Sequence, residues 1–294
     1  MPKMVKRTYK LIPSPPPPML WDRYEGLVIK KWRDLLRSPA SLDENNLQKF
    51  LEEHPCMLPG AFGLPLPSGH YPFPCAVISQ PPLQGLGTKV PDFMWLATNS
   101  SYLHPVLIEI ETPDKGWFTK KGIQHADLTQ ALDQLAAWKT WFNKVENQAL
   151  FLEYYQIPPD IRRWRTFHPL YILIYGSREE FEEKPDLNAK RGQLERPDEF
   201  HMTFDRLSSV HDVQDMMCVR KTGSYYEAMT IPPTFRLGPM WAEYRLYIRN
   251  KEDAVKRNLL ITKERKEFLL DRLPYWDDWA KSKSKGRWIV GGAE

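Results

Sequence analysis

The chain has 294 residues, of which 42% are hydrophobic and 27% charged, with a formal net charge of +4, and this composition is typical of a globular protein rather than a disordered one. No apolar run approaches the roughly 18 residues that a membrane span needs, so the sequence excludes an integral membrane protein. Cys56, Cys75 and Cys218 are widely spaced and form neither a disulfide framework nor a zinc-ligand pattern, which indicates a reducing cytoplasm.

The first 40 residues predict a proline-rich arm followed by a helix. Residues 13–18 read Pro-Ser-Pro-Pro-Pro-Pro and cannot continue a helix or a sheet, so they favour an extended polyproline-type arm. Residues 21–37 carry apolar side chains at helical spacing, and Ser38-Pro39 ends this helix. Residues 1–40 are therefore predicted to lie outside the main domain.

A second helix is predicted over residues 41–53. Ser41 and Glu44 match the S-x-x-E capping box, which satisfies two backbone amides at a helix start. The proline- and glycine-rich residues 55–90 predict a loop with one short strand near residues 76–78.

From residue 90 onward, patterns typical of strands and helices alternate. The predicted elements are a hairpin with strands at 90–97 and 103–111 and a turn at 98–101, a helix at 125–142, a strand at 170–175, a charged helix at 177–195 and a strand at 200–204. The apolar strand before Gly176 is expected to be buried on both faces. This order predicts an α/β fold.

The C-terminal part is the basic part of the chain. Residues 214–294 hold 16 Lys/Arg and 11 Asp/Glu, and they contain four tryptophans: Trp241, Trp276, Trp279 and Trp288. Basic residues interleaved with aromatic rings suit a nucleic acid, because cations meet phosphates and rings stack on bases. A solvated surface over a tryptophan-containing core explains the same pattern, and both interpretations stay open.

Three acids on the predicted hairpin are the candidate chemical centre. The midpoint between Asp92 and Glu109 falls at the centre of the turn, so the two residues are expected to lie opposite each other. Glu111 shares the face of Glu109, since side chains alternate along a strand. Acids so close resist ionisation unless a cation lies between them, and oxygen ligands suit Mg²⁺ or Mn²⁺. The alternative is a solvated strand face that carries these acids without a metal.

Several short motifs follow one another between residues 41 and 212. They are Glu44 with Leu47, Gln48, Phe50, Leu51 and Pro55; Pro91-Asp92; residues 108–111 (Ile-Glu-Ile-Glu) with Pro113; residues 118–122; residues 128–138 with Gln134; and residues 204–207. This ordered set resembles the Shedu-type nuclease domain of bacterial anti-phage defence systems. The resemblance implies a restriction-endonuclease-like PD-(D/E)XK domain over residues 41–213, a mixed sheet flanked by helices, with N- and C-terminal extensions at 1–40 and 214–294.

The resemblance also implies a metal-dependent endonuclease that hydrolyses phosphodiester bonds of DNA, double-stranded in this family. Its metal ligands would be Asp92, Glu109 and the Ile110 carbonyl, and its catalytic residues Asp92, Glu109, Glu111, Gln134, Glu44 and Lys120. Glu111 stands where most enzymes of this fold have lysine, so it could act as a base or second-metal ligand. Lys115, Lys120 or Lys121 could then supply the positive charge. A homo-oligomer, and a protein partner bound through either extension, are implied as well.

Several alternatives accompany this interpretation. A catalytically impaired nucleic-acid-binding sensor or assembly module could retain the same fold. Glu44 could serve in the capping box as well as at the site, and Gln134 could be an ordinary polar helix residue. Residues 162–165 (Arg-Arg-Trp-Arg) could hold a phosphate backbone or form a solvated loop, whereas Trp138 and Trp141 are expected in the core.

Overall fold

A computed structural model describes residues 9–64, 70–87, 89–182, 184–282 and 294. The helices are α1 Trp21–Leu36, α2 Glu44–Glu53, α3 Ala126–Phe142, α4 Val145–Tyr154, α5 Pro159–Arg162, α6 Glu179–Glu182, α7 Pro185–Gly192, α8 Pro239–Arg245, α9 Lys251–Arg257 and α10 Lys263–Lys281. The strands are β1 Phe73–Ser79, β2 Phe93–Thr98, β3 Tyr102–Ile110, β4 Thr166–Phe167, β5 Leu170–Ile174, β6 Glu199–Met202, β7 Met217–Thr222, β8 Tyr225–Thr230 and β9 Ile248–Arg249.

All the strands of the described chain belong to one nine-stranded sheet in the order β6-β5-β3-β2-β1-β7-β8-β9, with β4 paired to β3. The sheet is mixed, because β3 runs antiparallel to β2 and parallel to β5. The predicted α/β class and mixed sheet flanked by helices are confirmed. Strand β7 pairs with β1 in parallel, so residues 214–294 continue the sheet on the far side of β1.

The sheet separates two hydrophobic cores. Alternate residues of β1 enter different cores, since Ala76 and Ile78 pack on one face and Cys75 and Val77 on the other. Helices α3 and α10 cover the first face, while α1 and α2 cover the second. All of β5 is buried, as its continuous apolar run predicts. The three cysteines are free and buried, which confirms that they form no disulfide.

The tryptophans of the C-terminal part are mainly core residues. Trp276 and Trp279 are 2% and 6% exposed, and both rings pack against Tyr9. The base-stacking interpretation is therefore wrong for these two rings, because burial leaves no face open to a base. Trp241 is partly buried beside Arg245. Trp288 lies outside the described residues.

Residues 9–20 run without helix or strand and pack on the C-terminal part. Arg265 of α10 donates a hydrogen bond to the Pro16 carbonyl at 2.8 Å, and Arg272 donates to the Lys10 carbonyl at 2.7 Å. The proline-rich arm is thus fixed by its carbonyl groups, the polar groups that proline retains. Helix α1 follows where it was predicted.

The start of α2 differs from the prediction. Ser41 lies in a 3₁₀ turn, and its hydroxyl donates to the Ser38 carbonyl at 2.9 Å. Asp43 is the N-cap instead, accepting a hydrogen bond from the Asn45 amide at 3.0 Å. The predicted capping box is wrong, because Pro39 starts a separate turn and an aspartate beside Glu44 caps the helix equally well. Glu44 is therefore not engaged in a cap with Ser41.

One further helix prediction needs correction, and one helix after α3 was missed. The charged helix expected over residues 177–195 consists of α6 and α7, because Pro185 begins a new helix. Helix α4 was not predicted, since its apolar residues do not form a clear stripe. Within the described residues, no helix is both long and apolar enough to cross a membrane.

His54, at the C-terminal end of α2, is expected to make the stability of the chain depend on pH. Its ring Nδ1 shares a 2.9 Å hydrogen bond with the buried Tyr24 hydroxyl, and burial lowers the pKa of His54 to about 4. The unfolded chain therefore binds more protons between about pH 4 and pH 6.5, so stability falls as the pH falls through this window. We expect a loss of about 3 kcal/mol in the unfolding free energy, measured by urea denaturation at several pH values.

The variant His54→Gln should remove most of this pH dependence, because a neutral amide keeps a hydrogen-bonding group beside Tyr24 but does not titrate. His211→Gln is the matched control, since the His211 side chain is 61% exposed. An unchanged pH slope in His54→Gln would assign the acid sensitivity to other groups.

Candidate functional site

The β2–β3 hairpin has the register that the sequence predicts. Phe93 pairs with Ile108, and Thr98 pairs with Leu103 at the other end. Asp92 directly precedes β2, and its amide donates to the Ile108 carbonyl at 3.1 Å. The side chains of Asp92 and Glu109 line the same cavity, so the two acids meet as the hairpin predicts.

A cavity of about 320 Å³ lies at the end of this hairpin, between the start of α2 and one face of α3. Five carboxylates and one ammonium group line it. The lining residues are Glu44, Val90, Asp92, Glu109, Glu111, Lys115, Asp127, Gln130 and Gln134. The structure thus brings together all the predicted site side chains except Lys120.

Asp92 and Glu109 form the inner part of the cavity. One Asp92 oxygen accepts a hydrogen bond from the Ile110 amide at 2.8 Å, and Gln134 donates to Glu109 Oε1 at 2.5 Å. The pKa of Asp92 is raised to about 8, mainly by burial of its carboxyl, and the neighbouring Glu44 raises it further. Burial and the charge of Asp92 also raise the pKa of Glu109.

The second oxygen of Glu109 has no hydrogen-bond partner. Glu109 is only 7% exposed, and its Oε2 atom is buried without a donor among the described residues. A buried carboxylate oxygen without a donor or cation is costly. A cation or a proton at this atom would therefore be stabilised.

Lys115 provides the positive charge of the cavity. Its ammonium group contacts the Glu111 carboxylate, and the two side chains are 33% and 13% exposed. Although burial alone would lower it, the hydrogen bond to Glu111 raises the pKa of Lys115. Lys120 is exposed and does not line the cavity. Of the lysines that could supply the positive charge, Lys115 therefore lines the cavity, whereas Lys120 does not.

The loop that carries Lys115 is anchored at several points. The Glu180 carboxylate accepts hydrogen bonds from the amides of Trp117 and Phe118 at 2.7 and 2.8 Å. Gly176 has φ +66°, and a Cβ atom there would lie 2.7 Å from the Lys115 carbonyl. Only glycine allows this close approach. Gly176, which the sequence indicated merely as a strand end, thus helps to hold Lys115 in place.

The structure adds Asp127 and Gln130 to the site. They precede Gln134 by seven and four residues on α3, a spacing that places all three on one helix face. The shared face was visible in the sequence, but the approach of α3 to the hairpin was not. Helix α3 also confirms the core placement of Trp138 and Trp141, whose indole groups donate to backbone carbonyls.

The arginines of residues 162–165 lie away from the cavity. The Arg165 guanidinium donates to the carbonyls of Asn99 and Ile161, so it holds the hairpin turn against α5. Trp164 is 76% exposed, and the Arg163 guanidinium lies 4.9 Å from its ring centroid. The structure favours a structural role for Arg165, whereas Arg162 ends α5 and Arg163 follows it, and both side chains are exposed to solvent.

The donor atoms of the cavity are of the type that a hard divalent cation binds, since they are oxygen atoms with a large excess of negative charge. Their arrangement is not a preformed cage: in the described part of the chain, no group of three or more His, Cys, Asp or Glu side chains is placed to hold a metal ion. Any ion would therefore be held by fewer side chains together with backbone or ligand oxygens.

The comparisons with known proteins agree with the order of the motifs. The family model described as Shedu protein SduA, C-terminal, matches residues 41–208, more than half of the chain. The matched range includes every residue that lines the acidic cavity. No curated protein matches the chain. The chain belongs to the Shedu family, a membership that implies a role in anti-phage defence.

Proposed function

We propose that this chain is a metal-dependent DNA endonuclease with a PD-(D/E)XK nuclease fold, acting in anti-phage defence. The observation that carries the proposal is the meeting of Asp92 and Glu109 at one cavity, with Glu109 Oε2 buried and without a hydrogen-bond partner among the described residues. Two acids in this arrangement are stabilised when a cation lies between them. Family membership supports the defence role.

The metal would be Mg²⁺ or Mn²⁺, held by the carboxylates of Asp92 and Glu109 and by the Ile110 carbonyl. When bound, it would supply a Lewis acid that polarises a phosphate oxygen and lowers the pKa of water. Because two carboxylates fill only part of its coordination sphere, positions remain for solvent and for a phosphate of DNA.

The side chains around this pair have separate tasks. Gln134 holds the Glu109 carboxylate in position through its hydrogen bond to Oε1. Glu111 would accept the proton of the attacking water. Lys115, in contact with Glu111, would stabilise the negative charge that develops on the phosphate. Glu44 and Asp127 lie at the cavity wall, where a second cation would be attracted.

A second function is favoured by two observations: Glu111 occupies the position of the usual lysine, and the described acids form no ready three-ligand cage. On this alternative, the chain is a catalytically impaired sensor or assembly module that binds nucleic acid. Double-stranded DNA as ligand, self-association, a cytoplasmic location and a protein partner at residues 1–40 or 214–294 are proposed on the family resemblance for either function.

A plasmid-nicking assay with thermal melting tests the proposal. Supercoiled DNA should be nicked with Mg²⁺ or Mn²⁺ and not with EDTA, and either metal should raise the melting temperature because it binds only the folded chain. The double variant D92N/E109Q should show neither effect. Salt-sensitive DNA binding without nicking would instead support the sensor function.

A further inference from the structure

A second concave site lies beside the segment that follows β5. It is a cavity of about 440 Å³ lined by Arg178, Phe181, Glu182, Asn188, Arg191, Thr203 and Arg206, and it is called the arginine pocket below. Its lining carries three guanidinium groups and one carboxylate. The pocket is therefore basic, in contrast to the acidic cavity at the hairpin.

The three guanidinium groups are not neutralised by ion pairs. In the described part of the chain, the arginines that form ion pairs are Arg196 and Arg265, and none of the pocket arginines lies within 4.0 Å of a carboxylate oxygen. Asp205, the nearest acid in sequence to Arg206, accepts a hydrogen bond from the Arg178 backbone amide at 2.7 Å. Three guanidinium groups against one carboxylate leave an excess of positive charge in the lining, which favours the binding of an anion.

Arg191 is held in a fixed orientation. Its guanidinium carbon lies 5.3 Å from the Trp117 ring centroid and 5.4 Å from that of Phe181. Its Nε atom donates to Asn188 at 3.3 Å, and Nη1 donates to the His201 carbonyl at 3.3 Å. A guanidinium group fixed in this way loses little freedom on binding, which favours a planar two-point contact with a phosphate.

A groove adjoins the arginine pocket and is lined by residues that neighbour the acidic cavity in sequence. This groove has a volume of about 680 Å³, and its lining includes Arg206, Asp114 and Leu42. Arg206 belongs to the arginine pocket as well. Asp114 directly precedes Lys115, and Leu42 lies two residues before Glu44, both of which line the acidic cavity. An extended ligand could therefore reach from one site to the other along the surface.

We propose that the arginine pocket binds a phosphate ester, namely a backbone phosphate of the nucleic-acid strand that reaches the acidic cavity through the groove. The phosphate chemistry follows from the three arginines, whereas the assignment to a strand rests on the proposed function. A phosphate bound in the arginine pocket, outside the acidic cavity, fixes the register of the strand without contact between these arginines and the reacting atoms. Arg178, Arg191 and Arg206 are therefore positioning residues.

The test measures binding in EDTA, where no cleavage takes place. The probes are deoxyadenosine monophosphate, deoxyadenosine and duplex DNA, titrated into the full chain by calorimetry. The variant R178Q/R206Q is compared with R23Q/K30Q, which removes the same charge from exposed positions of α1 that line none of the cavities described above. The side chains of Arg178 and Arg206 are both exposed. Thermal melting verifies that the two variants are folded.

We expect R178Q/R206Q to weaken the binding of the monophosphate and of duplex DNA about tenfold or more, with the control close to wild type. The slope of log affinity for duplex DNA against log salt should fall by about one. Equal effects of the two variants, or deoxyadenosine binding as tightly as its monophosphate, would overturn the phosphate site. Weaker monophosphate binding with unchanged duplex binding would overturn the strand assignment. A chain that binds as expected but nicks no DNA would refute the proposed endonuclease and leave the pocket intact.

Discussion

Replacing Glu109 by glutamine is expected to reduce DNA nicking by about a thousandfold, equivalent to about 4 kcal/mol of transition-state stabilisation. Glutamine keeps the size of the side chain but removes the negative charge that a divalent cation requires. The same change should raise the melting temperature of the metal-free protein, because the pKa of Glu109 is raised by burial and by Asp92. At neutral pH the unfolded chain ionises Glu109, whereas burial disfavours the ionised form in the folded chain, so this carboxyl opposes folding and a neutral amide removes the opposition.

The opposite signs of these two effects separate a chemical role from a folding defect. A misfolded variant would lose activity and stability together, whereas Glu109→Gln should lose activity and gain stability. Asp133→Asn is a suitable control, because its exposed carboxylate pairs with Lys89 on the surface of α3. Nicking that persists in both Glu109→Gln and Asp92→Asn would show that the cavity is not the catalytic centre.

The paired acids could be predicted because the information that places them is local. The side chains of a strand alternate, and a short turn centred between Ser100 and Ser101 determines which residues face each other. The observed register of β2 and β3 follows from these two facts alone. The burial of β5 on both faces could also be predicted, since its residues form a continuous apolar run, but its place beside β3 could not.

The parts of the site that the sequence did not reveal depend on contacts between distant segments. Asp127 and Gln130 share a face of α3, but nothing in their spacing shows that this face meets the hairpin. Gly176 approaches the Lys115 carbonyl across 61 residues of chain, a contact determined by packing and not by local propensity. The parallel pairing of β7 with β1 is equally non-local, which explains why residues 214–294 looked like a separate extension.

Lys115→Met is expected to reduce nicking about a hundredfold while leaving the affinity for duplex DNA nearly unchanged. Lys115 is the cationic side chain that lines the cavity, and it contacts Glu111, which the family resemblance places where nucleases of the proposed fold usually have lysine. Methionine keeps the length of the side chain, so the loss would report the missing charge. Lys115→Arg should retain a substantial part of the activity, because a guanidinium group can also pair with Glu111.

Lys120→Met is the matched control for this experiment, since it removes the same charge from the same loop at an exposed position outside the cavity. Its nicking rate should stay within about twofold of wild type. A larger loss in Lys120→Met than in Lys115→Met would show that the loop rearranges on DNA and that the sequence-based assignment of Lys120 was correct. A larger loss of activity in Lys115→Met than in Lys120→Met, the expected result, means that Lys115 takes the role of the lysine that Glu111 replaces. Lys115 lies four residues further along the chain, and the anchored loop brings it into contact with Glu111.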